Sequence, residues 1–237
     1  MTDFTEKNVL VMGGSRGIGA AVVRRFASDG ATVAFTYSSS DEIAEALAAE
    51  TGSAALKADS AERAEVVEVV AQQGQLDVII VNAGVLVMGD PLETDADAID
   101  HMINVNVRAP YHALVETARR MNDNGRMIVI GSVNADSIPF PGGAAYGMTK
   151  SALQGMVKGF ARDFGDRGIT VNVIQPGPVD TDMNPADGPM KDMMHSFMAI
   201  KRHARADEIA GMAAYLASEE AAVVTGAFHT IDGGFGA

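Results

Sequence analysis

Short apolar runs alternate with helical patterns from one end of the 237-residue chain to the other. "KNVLVMGG" (7–14) precedes "GIGAAVVRRFASDG" (17–30), "TVAFTY" (32–37) precedes "DEIAEALAAETG" (41–52), and "SAALKAD" (53–59) precedes "AERAEVVEVVAQQG" (61–74). "LDVIIVNAG" (76–84) is apolar without alternation, as suits a strand buried on both faces. A long helical stretch follows at 95–121, with Pro110 as the expected kink. Strands are expected at 125–133, 168–177 and 226–234, and helices at 144–165 and 206–218. This alternation predicts an α/β fold: a parallel sheet with helices on both faces and right-handed crossovers. No linker or low-complexity tract interrupts it, so residues 1–237 are read as a single domain. In such a sheet, ligands bind at the carboxyl ends of the strands, where the strand order reverses. The residues just after strands are therefore the informative ones.

Composition removes several function classes. The chain has no cysteine, which excludes disulfides, thiolate metal ligands and a cysteine nucleophile. No metal site is expected. The net charge of −13 argues against a nucleic-acid polymer as partner. The N-terminal "MTDFTEKNVL" has no basic region followed by an apolar run, and no stretch approaches the roughly 20 apolar residues of a membrane helix. A cytoplasmic protein without membrane attachment is the expectation.

After the first strand comes "GGSRGIG", with glycines spaced Gly13-x-x-x-Gly17-x-Gly19. The strand, turn and helix occur in the order a dinucleotide site requires. Gly13 lets the chain leave the strand tightly, Gly17 lets the backbone approach a pyrophosphate at the helix N-terminus, and Gly19 lets that helix pack close to the sheet. Ser15, Arg16 and Ile18 complete the turn and its expected cofactor contacts. The second strand ends "FTYSSS" and not in the acid that would bond a ribose 2′-hydroxyl. Tyr37, Ser38 and Ser39 offer hydroxyls and backbone N–H groups, and Arg16 offers a charge-assisted bond to a 2′-phosphate. NADPH is expected over NADH. Asp41, just beyond, is the residue that a shifted turn would bring to the ribose instead.

In "AAYGMTKSALQ" (144–154), Tyr146 and Lys150 stand four residues apart on an expected helix, and so on one face. One reading is a core-edge tyrosine beside a solvated lysine. The other is a catalytic pair. A cation ~4 Å from the phenol contributes about 4 kcal/mol at an effective dielectric of 20, or at most roughly three pKa units. That would bring a phenol with an unperturbed pKa near 10 into a useful acid–base range.

The glycine turn, "VNAG" after the fourth strand and Tyr146-x-x-x-Lys150 occur together, in order. The chain thereby resembles the short-chain dehydrogenase/reductase family over essentially its whole length. The resemblance implies a Rossmann-type, doubly wound, seven-stranded parallel sheet. It also implies hydride transfer between NAD(P)(H) and a carbonyl or alcohol. It assigns catalysis to Asn106, Ser132, Tyr146 and Lys150. Tyr146 would be the general acid, and Ser132 would bond the same substrate oxygen. Lys150 would lower the tyrosine pKa and hold the nicotinamide ribose, and Asn106 would anchor a water relay. Asn104 and Ser137 are set aside as decoys, Ser137 because it lies too far from the strand end. Asp59 matches the acid that bonds the adenine amino group, with Ser60 beside it. Asn82, Ala83 and Gly84 match the strand-four motif, although Val81 stands where its first Asn is usual and Met12 stands where Thr is usual. Pro176, Gly177, Val179 and Thr181 of "QPGPVDT" match the segment that holds the nicotinamide carboxamide.

The stretch 183–200 falls where the family places its substrate lid. Met183, Met190, Met193, Met194, Phe197 and Met198 are read there either as lining an adaptable apolar pocket or as core. His195 is not favoured as a substrate contact, and Arg202 is read as structural. The family's habit implies a homotetramer through the 144–165 helix and the C-terminal segment. The favoured reading is an NADPH-dependent carbonyl reductase. "GGSRGIGAAVVRRF", "MAIKRH" and "GAFHTIDGGFGA" also resemble a branch of the family linked to cyclic-di-GMP binding and biofilm dispersal. That implies an alternative: a non-catalytic binder of this second messenger. A β-ketoacyl-carrier-protein reductase is the third option, disfavoured by the acidity of the chain.

Overall fold

The computed structural model describes residues 3–237. The apolar runs form seven strands among the described residues: β1 (Asn8–Met12), β2 (Thr32–Tyr37), β3 (Ala54–Lys57), β4 (Leu76–Val81), β5 (Met121–Ile130), β6 (Thr170–Pro176) and β7 (Phe228–Ile231). All six neighbouring pairs are parallel, in the order β3-β2-β1-β4-β5-β6-β7. The helices are α1 (Gly17–Ser28), α2 (Asp41–Thr51), α3 (Arg63–Ala71), α4 (Ala96–Ile103), α5 (Ala109–Ala118), α6 (Ala144–Phe164), α7 (Lys191–Phe197) and α8 (Ala206–Ala217). The chain winds outward from β1 to β3 and then returns to place β4 on the other side of β1. The switch in strand order therefore lies between β1 and β4, and the ends of these two strands frame the expected ligand crevice.

Alternation along β1 explains why it reads as an unbroken apolar run. Val9 and Val11 enter one core layer, with Phe26, Phe35 and Ile209. Leu10 and Met12 enter the other, with Leu114, Leu153 and Ile169. Successive side chains point to opposite faces, and both faces are covered.

Two boundaries differ from expectation. The helical stretch expected over 95–121 divides into α4, a π-helical turn at Asn104–Arg108, and α5. In the π turn the Ala109 N–H donates to the carbonyl of Asn104, five residues back. Pro110 follows directly, in a helix that runs on from α4 without a break, so it has no N–H to close the next backbone bond; the widened turn and the proline together mark the irregularity. The helix also stops at Ala118, because Met121 already pairs with Leu76 as the first residue of β5. The register then slips before Val78, and Asn124 takes a left-handed φ of 62°. The extra residues of β5 form a bulge that local pattern does not reveal. Among the described residues, no helix is long and apolar enough to cross a membrane.

Candidate active site

The glycine turn leaves β1 and is stitched to strands on both sides. The Gly13 N–H donates to Thr36 Oγ1 at 2.9 Å, and Asn82 Nδ2 donates to the Gly13 carbonyl at 2.7 Å. The N–H groups of Asn82 and Ala83 both donate to the Met12 carbonyl. Gly13 has φ +74°, and a Cβ there would meet the Ala83 Cα at 2.7 Å. A Cβ on Gly19 would stand 2.1 Å from the Gly13 carbonyl oxygen. The close approach of α1 to the strand ends requires glycine at both positions. Gly14, which the sequence reading passes over, is held by packing: a Cβ there would press on Phe35 at 2.5 Å.

Arg16 reaches across to the end of β2. Its Nη2 lies 2.6 Å from Ser40 Oγ, and its Nη1 lies 4.0 Å from Asp182. Ser38 and Ser39 are exposed beside it, and Ser40, one residue past the expected set, is the hydroxyl that Arg16 meets. Asp41 does not turn to this spot. It pairs with Lys57 Nζ at 2.9 Å, and that ammonium is the main reason its carboxyl falls below the usual range. The Tyr37 phenol is pushed up, first by burial and then by its hydrogen bond to Asp41. Asp59 Oδ1 accepts from the Ala61 N–H at 2.8 Å, alongside Ser60, in the turn that leads to α3.

The four expected catalytic residues converge beyond β4 and β5. Asn106 lies in the π turn and is fully buried. Its Oδ1 accepts from the Val85 N–H at 2.9 Å; its Nδ2 donates to the Val85 carbonyl at 2.9 Å and to Thr149 Oγ1 at 3.1 Å. The side chain thus ties the strand-four loop to α6. Asn104, two residues earlier, pairs with Arg108. Lys150 is 5% exposed, and its Nζ donates to the Ile130 carbonyl at 3.2 Å. A Cβ on Gly84 would lie 3.5 Å from both Asn106 Oδ1 and Lys150 Nζ, so glycine there keeps the floor of the site open. Ser132 follows β5 and is buried, and its Oγ accepts from the Asn134 N–H at 3.1 Å. Ser137 contributes its carbonyl, which accepts from Asn134 Nδ2.

The electrostatics differ from the expectation for the pair. Lys150 Nζ lies 5.7 Å from the centroid of the Tyr146 ring. Burial pushes the Tyr146 phenol up; a hydrogen bond donated by Ser132 would partly offset this where its hydrogen turns to the phenolate. Burial also pushes the Lys150 ammonium down, to about 8. Desolvation of both groups outweighs their attraction at this separation.

The Pro176–Thr181 segment is held from two sides. The Gly177 N–H donates to the Ile231 carbonyl at 3.2 Å, and Val179 is buried and bridges to Ala204. A Cβ on Gly17 would lie 3.1 Å from the Thr181 methyl, so this segment closes over the phosphate turn. The stretch 183–200 carries helix α7. Met198 is buried and, with Met194, packs on Val133, Phe140 and Phe235. Met183, Met190 and Phe197 remain exposed, so the expected pocket residues divide between an anchor and an open face. His195 Nε2 is 2.9 Å from His203 Nδ1, and Arg202 forms a fork on Glu208 at 2.7 and 2.8 Å, as a structural residue would.

A family model described as "Enoyl-(Acyl carrier protein) reductase" matches residues 13–236. The "Cyclic-di-GMP-binding biofilm dispersal mediator protein" of Escherichia coli (strain K12) is 60% identical over 237 residues, covering 100% of both chains. The crystal structure of BdcA in complex with NADPH matches with a TM-score of 0.97 at 61% identity, covering 99% of this chain and 96% of that one. A short chain dehydrogenase from Burkholderia cenocepacia J2315 in complex with NADP matches with a TM-score of 0.97 at 43% identity, covering 99% of each chain.

Proposed function

The chain belongs to the short-chain dehydrogenase/reductase family of oxidoreductases, and on that premise we propose that it is a cytoplasmic NADPH-dependent reductase of ketones or aldehydes. The observation that carries this reading is the convergence of Tyr146, Ser132, Lys150 and Asn106 at the strand ends beside the glycine turn. A protein that only bound a dinucleotide would not need all four.

The residues fit the cofactor. Glycine at positions 13 and 19 lets the turn and α1 close onto the strand ends, which presents the backbone at the α1 N-terminus to a diphosphate. Lys150 offers three hydrogens, of which the Ile130 carbonyl takes one, and the other two suit ribose hydroxyls. Arg16 with Ser40 forms a donor pair for a 2′-phosphate; Asp41 is turned to Lys57, and Asp182 stands 4.0 Å from the other end of the guanidinium. The segment Pro176, Gly177, Val179 and Thr181 would hold the carboxamide, and Asp59 the adenine. When bound, NADPH supplies the hydride that reaches the carbonyl carbon.

The side chains then act on the carbonyl oxygen. Tyr146 donates its phenolic proton to that oxygen as negative charge develops there, and Ser132 donates a hydrogen bond to the same atom. Lys150 at its ammonium favours the tyrosinate left behind. Asn106 holds the Gly84–Val85 backbone and α6 in register, and so fixes the distance between the cofactor floor and Tyr146. Residues 183–200 would cover the substrate, with the exposed Met183, Met190 and Phe197 meeting its apolar part.

A second reading, binding of cyclic-di-GMP, is favoured by the name of the 60% identical E. coli protein. Reduction of a substrate on an acidic carrier is less favoured. The cleft of about 590 Å³ lined by Arg119, Arg120 and Arg167 lies at the N-terminal ends of β4 to β6, away from the site. Oxidation of NADPH by the protein against a panel of ketones and aldehydes tests the first reading, with NADH and Tyr146→Phe as controls. The reading expects turnover that prefers NADPH and falls about a thousandfold in Tyr146→Phe. No turnover, together with tight cyclic-di-GMP binding by calorimetry, would replace it with the second.

A further inference from the structure

The Ser132 hydroxyl has one hydrogen, and Asn134 determines where it points. The Asn134 amide is oriented by the Ser137 carbonyl, which can only accept; it takes a hydrogen bond from Nδ2 at 3.1 Å. That leaves Oδ1, which has no hydrogen, facing Ser132 Oγ at 3.3 Å. The Ser132 hydroxyl must therefore be the donor in this contact. The Asn134 backbone N–H donates to the same Oγ at 3.1 Å and occupies one lone pair. The carbonyl of Asn134 is set against α6 one residue past Tyr146, where a Cβ on Gly147 would come within 3.0 Å of it. Asn134 is thus braced on the turn, on Ser132 and on the catalytic helix.

We propose that Asn134 is a positioning residue: it holds the hydrogen of the Ser132 hydroxyl away from Tyr146, so that Ser132 can accept from the phenol but not donate to a phenolate. This rests on the proposed reductase chemistry. Tyr146 then stays protonated, as the acid of a reduction must, until a carbonyl oxygen acquires negative charge and draws the Ser132 hydrogen from Asn134 Oδ1. The remaining lone pair of Ser132 favours the protonated phenol over its conjugate base. The groups that face the phenol are Lys150 on its own helix and Ser132 after β5. Asn106, from the π turn, is committed to Val85 and Thr149. Asp136, the carboxylate of the same turn, is engaged by Gln154 at 2.6 Å and by Gln175.

The chain has four tyrosines and no tryptophan, which favours direct ultraviolet titration. In the free protein, and again with saturating NADP⁺, Tyr146 ionisation is read as the part of the tyrosinate absorbance that Tyr146→Phe removes. The titration spans the pH range over which circular dichroism shows a folded chain. Asn134→Ala frees the Ser132 hydrogen to bond the phenolate, and Tyr146 should ionise about half to one pH unit earlier than in the wild type. Asn134→Asp binds that hydrogen more strongly and adds a negative charge, and ionisation should move later. In a Ser132→Ala background, Asn134→Ala should cause no shift. A purely structural role would lower the melting temperature without producing opposite pH shifts. A phenol that ionises no earlier in Asn134→Ala, or equally early without Ser132, overturns the proposal. NADP⁺ binding is measured separately by calorimetry; its loss in the wild type would refute the reductase reading and leave the titration to judge Asn134.

Discussion

Lys150 should destabilise the fold that holds it. Its ammonium is buried, has no carboxylate within ion-pair distance among the described residues, and donates to the Ile130 carbonyl at 3.2 Å. The fold lowers its pKa to about 8, against roughly 10.4 in an unfolded chain, a difference of about 3 kcal/mol in favour of the neutral form. At pH 7 the amine is protonated in both states, and the folded state bears that cost. Lys150→Met removes the charge and keeps the length of the side chain. It also removes the bond to Ile130, worth about 1 kcal/mol. A net gain of about 2 kcal/mol remains, or roughly 4–8 °C in Tm for a chain of this size. The sign of the pH dependence follows. Between pH 8 and about 10.4 the unfolded chain binds the proton and the folded chain does not, so wild-type stability rises with pH across that window. The advantage of Lys150→Met is therefore full below pH 8 and shrinks above it, while the variant loses turnover. Thermal melts at fixed protein concentration, at pH 7 and pH 9.5, measure both quantities. A variant less stable than wild type at pH 7, or one whose advantage does not depend on pH, would refute the burial argument.

Arg16→Ala should weaken NADPH binding by about 10- to 100-fold, as the loss of a charge-assisted bond implies, and leave NADH nearly unchanged; fluorescence titration of both cofactors checks this. Equal losses for the two would mean that Arg16 meets the diphosphate and not the 2′-phosphate. Tyr111 is 48% exposed and lies against Phe160 of α6, ring centroids 5.4 Å apart. If the α6 face joins subunits, Tyr111→Glu should dissociate the expected tetramer, as read by light scattering; an unchanged tetramer would place the contact elsewhere.

The features legible in the sequence are those set by local spacing. β4 reads as a strand because both of its faces are buried, and the Tyr146–Lys150 pair reads as a pair because four residues return a helix to the same face. The features that escaped depend on distant partners. β5 starts at Met121 because Leu76, 45 residues earlier, is its neighbour across the sheet. Arg16 selects Ser40 over Ser38 and Ser39 through the geometry of one turn, which composition alone does not resolve. Met198 belongs to the anchor beneath residues 183–200 because Phe235, at the far end of the chain, reaches back to it. The raised phenol of Tyr146 is a matter of solvent exclusion, which a spacing rule does not capture.

The π turn at Asn104–Arg108 makes the site more tolerant of altered letters than of altered length. A π turn is an α-helix that has taken in one extra residue by widening. Its five residues cover about the arc that four cover in a regular α-helix, so α4 and α5 keep their faces on either side of it. Deleting one of the five would leave a continuous α-helix with both flanks in place, and the change would be felt inside the turn, where Asn106 is removed or re-aimed away from Val85. Among natural relatives, a one-residue gap in this stretch would thus mark an altered candidate site within an unaltered pair of helices.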